Sequence, residues 1–85
     1  YAVLVHMMAQ VAGLEAGELV HVIADAHIYD RHVPIVEQII KNEPKAAPEF
    51  VMDRSVRDFY AFTKDSFSLK NYEFTPLDVK IPVAE

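Results

Sequence analysis

A mixed α and β fold is what this sequence predicts, on three observations. "YAVLVHMMAQ" (Tyr1–Gln10) places apolar residues at helical spacing, and "VPIVEQII" (Val33–Ile40) does so again. Between them, "ELVHVIADAHIY" (Glu18–Tyr29) is rich in Val and Ile and ends in strict alternation of small or apolar with polar residues.

Each element follows in order. Val3, Met7 and Gln10, with Leu4, Met8 and Val11, define a helix over residues 1–12 that Gly13 stops, and "GLEAG" is the turn beyond it. A strand is predicted over 18–29, because the stretch is β-branched and too polar at its end for a buried helix. Asp30 suits an N-cap, and Pro34 sits in the first turn of a second helix over 31–42, where a missing N–H costs little. Val33, Val36, Ile39 and Ile40 form its apolar face, and "NEP" ends it at Pro44. "KAAP" reads as a linker and "EFVMD" (Glu49–Asp53) as a short strand. "SVRDFYAFTKD" divides evenly between short helix and loop. "SFSLKNYEF" alternates as a further strand, with Phe67, Leu69 and Asn71 on one face. The end is an extended tail whose pairing Pro76 and Pro82 limit.

Composition narrows the function. Eighty-five residues make one domain at most, with a thin margin between core burial and chain entropy. Without cysteine there is no disulfide, no thiolate metal site and no thiol nucleophile. A net charge of -5, with 8 scattered Lys and Arg residues, argues against a nucleic-acid surface. No apolar run has the length of a membrane span, and no segment has the layout of a signal peptide. The first helix is apolar almost all round and is expected to be buried on every side, yet 85 residues offer little to wrap it. The sequence therefore reads as the back part of something larger, or as one half of an intimate assembly.

The chemistry concentrates in "ADAHIY". On a strand, Asp25, His27 and Tyr29 project to one side, while Ala24, Ala26 and Ile28 leave the other free for close packing. Imidazole and phenol each donate and accept, so His27 and Tyr29 can both reach one ligand hydroxyl. A solvated strand end explains the same pattern more plainly. A metal site is disfavoured: the four histidines form no HExxH, and His27 and His32 straddle a predicted strand–helix break. Catalysis by this chain alone is disfavoured too, because Ser55, Ser66 and Ser68 lie in the later, loop-like part, away from a base. The residues by themselves point to an incomplete strand for binding a polar ligand.

"YAVLVHMMAQ", "ADAHIYDRH" and "NEPKAAP", in this order and at this spacing, together with the ending "DSFSLKNYEFTPLDVKIPVAE", resemble the C-terminal third of the thymidylate synthase family. The resemblance spans the whole chain and is weakest between Phe50 and Lys64. It implies helices packed on a large, mostly antiparallel sheet, in a cytoplasmic homodimer with no membrane or nucleic-acid partner. It implies dUMP as substrate and 5,10-methylenetetrahydrofolate as co-substrate, with no metal. By the same resemblance His27 and Tyr29 hydrogen-bond the deoxyribose 3'-hydroxyl, Asp25 supports them, and residues 79–85, Ala84 among them, close over the folate. The family's cysteine nucleophile and its phosphate-binding arginines have no counterpart here, so these residues alone are expected to be inactive. Arg31, Arg54 and Arg57 match no phosphate position. Deoxynucleotide hydroxymethylases share the fold and the folate and would match equally well, while a non-catalytic remnant that dimerises or holds a nucleotide is the rival of another class. Three departures stand out: Ala24 for the family's glycine, "FTP" at Phe74–Pro76, and Glu85 where the family ends in a small apolar residue.

Overall fold

The structure, a computed structural model, describes residues 1–83; Ala84 and Glu85 lie outside the described residues. Helix α1 runs Ala2–Ala12 and stops where the sequence places the stop. Gly13 turns left-handed at φ 69°, and its N–H and that of Leu14 reach back to the carbonyls of Gln10 (3.2 Å) and Ala9 (2.8 Å). This reciprocal pair satisfies carbonyls that a helix end otherwise leaves open.

The expected burial of α1 does not appear. Tyr1, Val3, Leu4, Met8 and Val11 are all exposed, and Gln10 is the one residue of the helix that is buried. The helix forms from its own spacing, but among the described residues nothing covers its other faces. A similar correction applies to Glu18–Tyr29, which joins no sheet and is broken by a tight turn at Ala24–Asp25. A strand exists only by pairing, and this segment has no neighbouring strand here.

A 3-10 turn over Asp30–His32, closed by a His32 N–H to Tyr29 carbonyl bond of 2.8 Å, leads into α2, Val33–Ile40. Pro34 sits in its first turn as expected, but Asp30 is not the cap: the capping position falls on His32, whose side chain makes no cap bond. The α-helix is thus shorter at both ends than the 31–42 span read from sequence.

The second half is organised by a two-stranded antiparallel sheet, β1 (Glu49–Met52) and β2 (Phe67–Lys70), in which Phe50 faces Leu69 and Met52 faces Phe67. Phe67 stacks on its diagonal neighbour Phe50 at 6.1 Å and on Phe62 at 5.4 Å, while His6 of α1 meets Phe50 at 5.1 Å. The ambiguous stretch between the strands resolves into two single 3-10 turns, Phe59–Ala61 and Lys64–Ser66, held by local side chains. Asp58 accepts from the Tyr60 N–H at 2.9 Å, and Thr63 and Ser66 cap one another, with the Thr63 N–H donating to Ser66 Oγ at 3.0 Å. Asn71 leaves the strand face predicted for it, because its φ of 56° ends β2.

Gln10 ties the halves together. Its Nε2 donates to the carbonyls of Asp53 (2.8 Å) and Val56 (2.9 Å), just beyond β1. Around this joint the apolar core is small, with Ile35 and Met52 the buried hydrophobic side chains. The radius of gyration is 17.0 Å, against about 12 Å for a compact domain of this length. The accessible surface is 7606 Å², where a self-contained protein of this mass would show roughly 5,100 Å². These residues form defined local structure without enclosing a core of ordinary size.

Candidate functional site

The residues singled out from "ADAHIY" are brought together, although not on a strand. The His27 Nδ1–H donates to the backbone carbonyl of Asp25 at 2.9 Å, and the Asp25 carboxylate lies 3.5 Å from the same nitrogen. That bond selects the Nδ1–H tautomer of the neutral ring and leaves Nε2 as an acceptor. The Asp25 side chain itself is 93% exposed, so it is the backbone carbonyl that holds the ring.

Tyr29 stands edge-on to His27, with ring centroids 5.1 Å apart at 86°. Its side chain is about half exposed, as is that of His27 (50%). One acceptor nitrogen and one phenol side by side on an accessible face suit a ligand hydroxyl, which can donate to His27 and accept from Tyr29. No strand pairing is needed to keep the two rings adjacent: the bond to the Asp25 carbonyl fixes the His27 ring, and the extended backbone of Tyr29 (φ -68°, ψ 142°) carries its partner. Ala24 itself carries no left-handed strain, since Asn71 is the non-glycine residue with positive φ among those described.

The cluster extends further than the sequence suggested. The Tyr29 ring also meets His32 edge-on, at 5.6 Å and 89°. His32 in turn donates from Nε2–H to the Pro82 carbonyl at 2.9 Å, and Arg31 Nη1 donates to the Val83 carbonyl at 3.2 Å. The tail thus returns to the turn that presents Tyr29. Sequence reasoning left Arg31 and His32 out of the site: an arginine was sought against phosphate and a histidine against metal, and neither motif reveals a bond to a backbone carbonyl some 50 positions away. Among the described residues, no three His, Cys, Asp or Glu side chains come together as a metal-binding group. Ala84 lies outside the described residues.

Two further features are separate from this cluster. A cleft of about 410 Å³ between α1 and β1 is lined by His6, Gln10, Met52 and Arg54, and shares no residue with it. Phe74, one of the departures from the family's pattern, stacks on Tyr72 at 5.1 Å and 22° beside the Asn42–Pro48 linker.

The comparisons with known proteins point to one family. A solved structure, the thermostable thymidylate synthase A from Bacillus subtilis, superposes with a TM-score of 0.87 at 40% sequence identity, covering 95% of this chain. The match takes in 29% of that protein's own length. The sequence profile described as thymidylate synthase matches residues 1–85. The chain belongs to the thymidylate synthase family.

Proposed function

We propose that this chain serves the reductive methylation of dUMP to dTMP, supplying deoxyribose contacts from His27 and Tyr29 and a closing tail over residues 79–85. The observation that carries the reading is the pairing of His27, held by Asp25 with Nε2 as acceptor, with a Tyr29 ring 5.1 Å away. A sugar hydroxyl needs one acceptor and one donor at close range, and this pair offers both. Asp25 is a positioning residue in this scheme.

The co-substrate is 5,10-methylenetetrahydrofolate, which supplies both the one-carbon unit and the reducing equivalent when bound. The return of Pro82 and Val83 to the Asp30–His32 turn supports its placement, because a tail covering the folate must end beside the nucleotide it reacts with. The thiolate that attacks the pyrimidine comes from outside these 85 residues, which contain no cysteine. The exposed apolar faces of α1 and of Leu19–Ile23 support packing against further protein, in keeping with a homodimer, and a cytoplasmic location belongs to the same reading.

The test is a double substitution, His27→Ala with Tyr29→Phe, in the protein expressed from its full reading frame. Loss of two hydrogen bonds to a neutral hydroxyl is expected to raise the KM for dUMP about 10- to 100-fold and to lower kcat less. Unchanged dUMP binding would remove the role assigned to both residues.

A further inference from the structure

Among the described residues, two bonds join the tail to the Asp30–His32 turn, and they are built in an unusual way. Both acceptors are consecutive backbone carbonyls, of Pro82 and Val83, and both donors are consecutive side chains, Arg31 and His32. Pro82 has no N–H, so the tail cannot enter a regular strand ladder at that point, and a side-chain donor captures its carbonyl instead. The fixed φ of proline also limits the directions in which that carbonyl can point. On the other side, the His32 N–H to Tyr29 carbonyl bond of 2.8 Å and the edge contact between their rings hold His32 to the residue that faces the nucleotide.

We propose that Arg31 and His32 are positioning residues that latch the tail by its backbone onto the Tyr29 turn, so that tail docking and the sugar-binding face form one unit. The inference rests on the function proposed above, since it assigns the latch to the same site. It adds that the tail is held through main-chain carbonyls rather than through the identity of its side chains. His32 joins the tail to Tyr29 directly, through its bond to the Pro82 carbonyl and its ring contact.

The experiment measures limited proteolysis of the tail, as the rate at which trypsin cuts after Lys80 in the ligand-free protein expressed from its full reading frame, alongside steady-state kinetics. A released tail enters the protease more readily, so His32→Ala is expected to speed this cut about fivefold, the equivalent of one ordinary hydrogen bond. His32→Gln, whose side-chain amide can reach the same carbonyl, should restore the original rate, and Arg31→Met should also speed the cut. Cutting after Lys41, at the end of α2, should proceed as before, which separates a lost latch from a misfolded variant. In kinetics, His32→Ala should raise the KM for methylenetetrahydrofolate about fivefold and leave that for dUMP within about twofold. Tail cleavage unchanged in His32→Ala overturns the latch whatever the kinetics show, and so does failure of His32→Gln to rescue. Faster tail cleavage with both KM values unchanged supports the latch and overturns instead the proposed role of the tail over folate.

Discussion

Residues 49–70 are less rich in apolar side chains than residues 14–29, yet the former region is a folded unit and the latter is an extended run with most of its side chains in solvent. The first satisfies itself. Its strands pair with each other, Asp53 N–H reaches the Ser66 carbonyl at 2.8 Å, and Asp53, Asp58, Thr63 and Ser66 cap the turns between. The second has Val20, Val22 and Ile23 exposed and no strand beside it. The difference lies not in propensity, which favours β structure in both, but in whether the partner is within reach along the chain. A β-prone segment whose neighbour is absent remains an exposed edge on both sides.

Three measurements would break or sharpen this contrast. The largest effect is expected from Gln10→Ala, which leaves the carbonyls of Asp53 and Val56 without their donor. Each unsatisfied, partly buried carbonyl costs about 1–3 kcal/mol, offset in part because the buried Gln10 Oε1, which has no partner among the described residues, is removed too, so a loss of about 2–4 kcal/mol in a denaturant titration is expected. A change within error would show that the 49–70 unit does not depend on α1.

A smaller effect is expected where β2 ends. Asn71 holds a φ of 56°, a conformation asparagine tolerates better than alanine does. Asn71→Ala should destabilise by about 1 kcal/mol, while Asn71→Gly should be neutral or slightly stabilising, both read from the same titration. Equal effects of the two variants would mean that the side chain, rather than the backbone, sets the turn.

The smallest concerns the turn at Asp53. The Ser55 hydroxyl at 2.6 Å and the Ser55 N–H at 2.9 Å both donate to its carboxylate and hold its pKa below the usual value for aspartate. Because the folded value is lowered, the contribution of this turn is fully present above the unfolded pKa of Asp53. It is lost as pH falls through the folded value. Ser55→Ala removes the larger of the two bonds and should move the pKa back up, observable by NMR titration of the Asp53 carboxyl. Since Asp53 is fully exposed, stability at neutral pH should hardly change. A pKa that stays low in Ser55→Ala would assign the shift to the backbone N–H alone.

The same contrast explains what was legible beforehand. Helix α1 and its stop at Gly13, the Pro34 start of α2 and the strand at Glu49–Met52 follow from spacing and punctuation within a few residues. The overlong second strand was misread because alternation continues past Lys70, whereas the left-handed Asn71 ends the pairing. The adjacency of His27 and Tyr29 was legible because it is local. The means of adjacency was not, since the bond from the His27 ring to the Asp25 carbonyl and the edge contact with Tyr29 set it without a strand.

By itself, then, the sequence determined the helices, the turn chemistry, the cysteine-free composition and the polar triplet Asp25, His27 and Tyr29. These depend on propensities and bonds that span one to four residues. Only the tertiary structure decided that Gln10 would clasp the loop after β1, that Phe67 would stack on Phe50, and that Arg31 and His32 would hold the tail. Those contacts join groups far apart along the chain, and most of their acceptors are backbone carbonyls. Every residue carries such a carbonyl, so no residue type or spacing marks in advance the one that will be used.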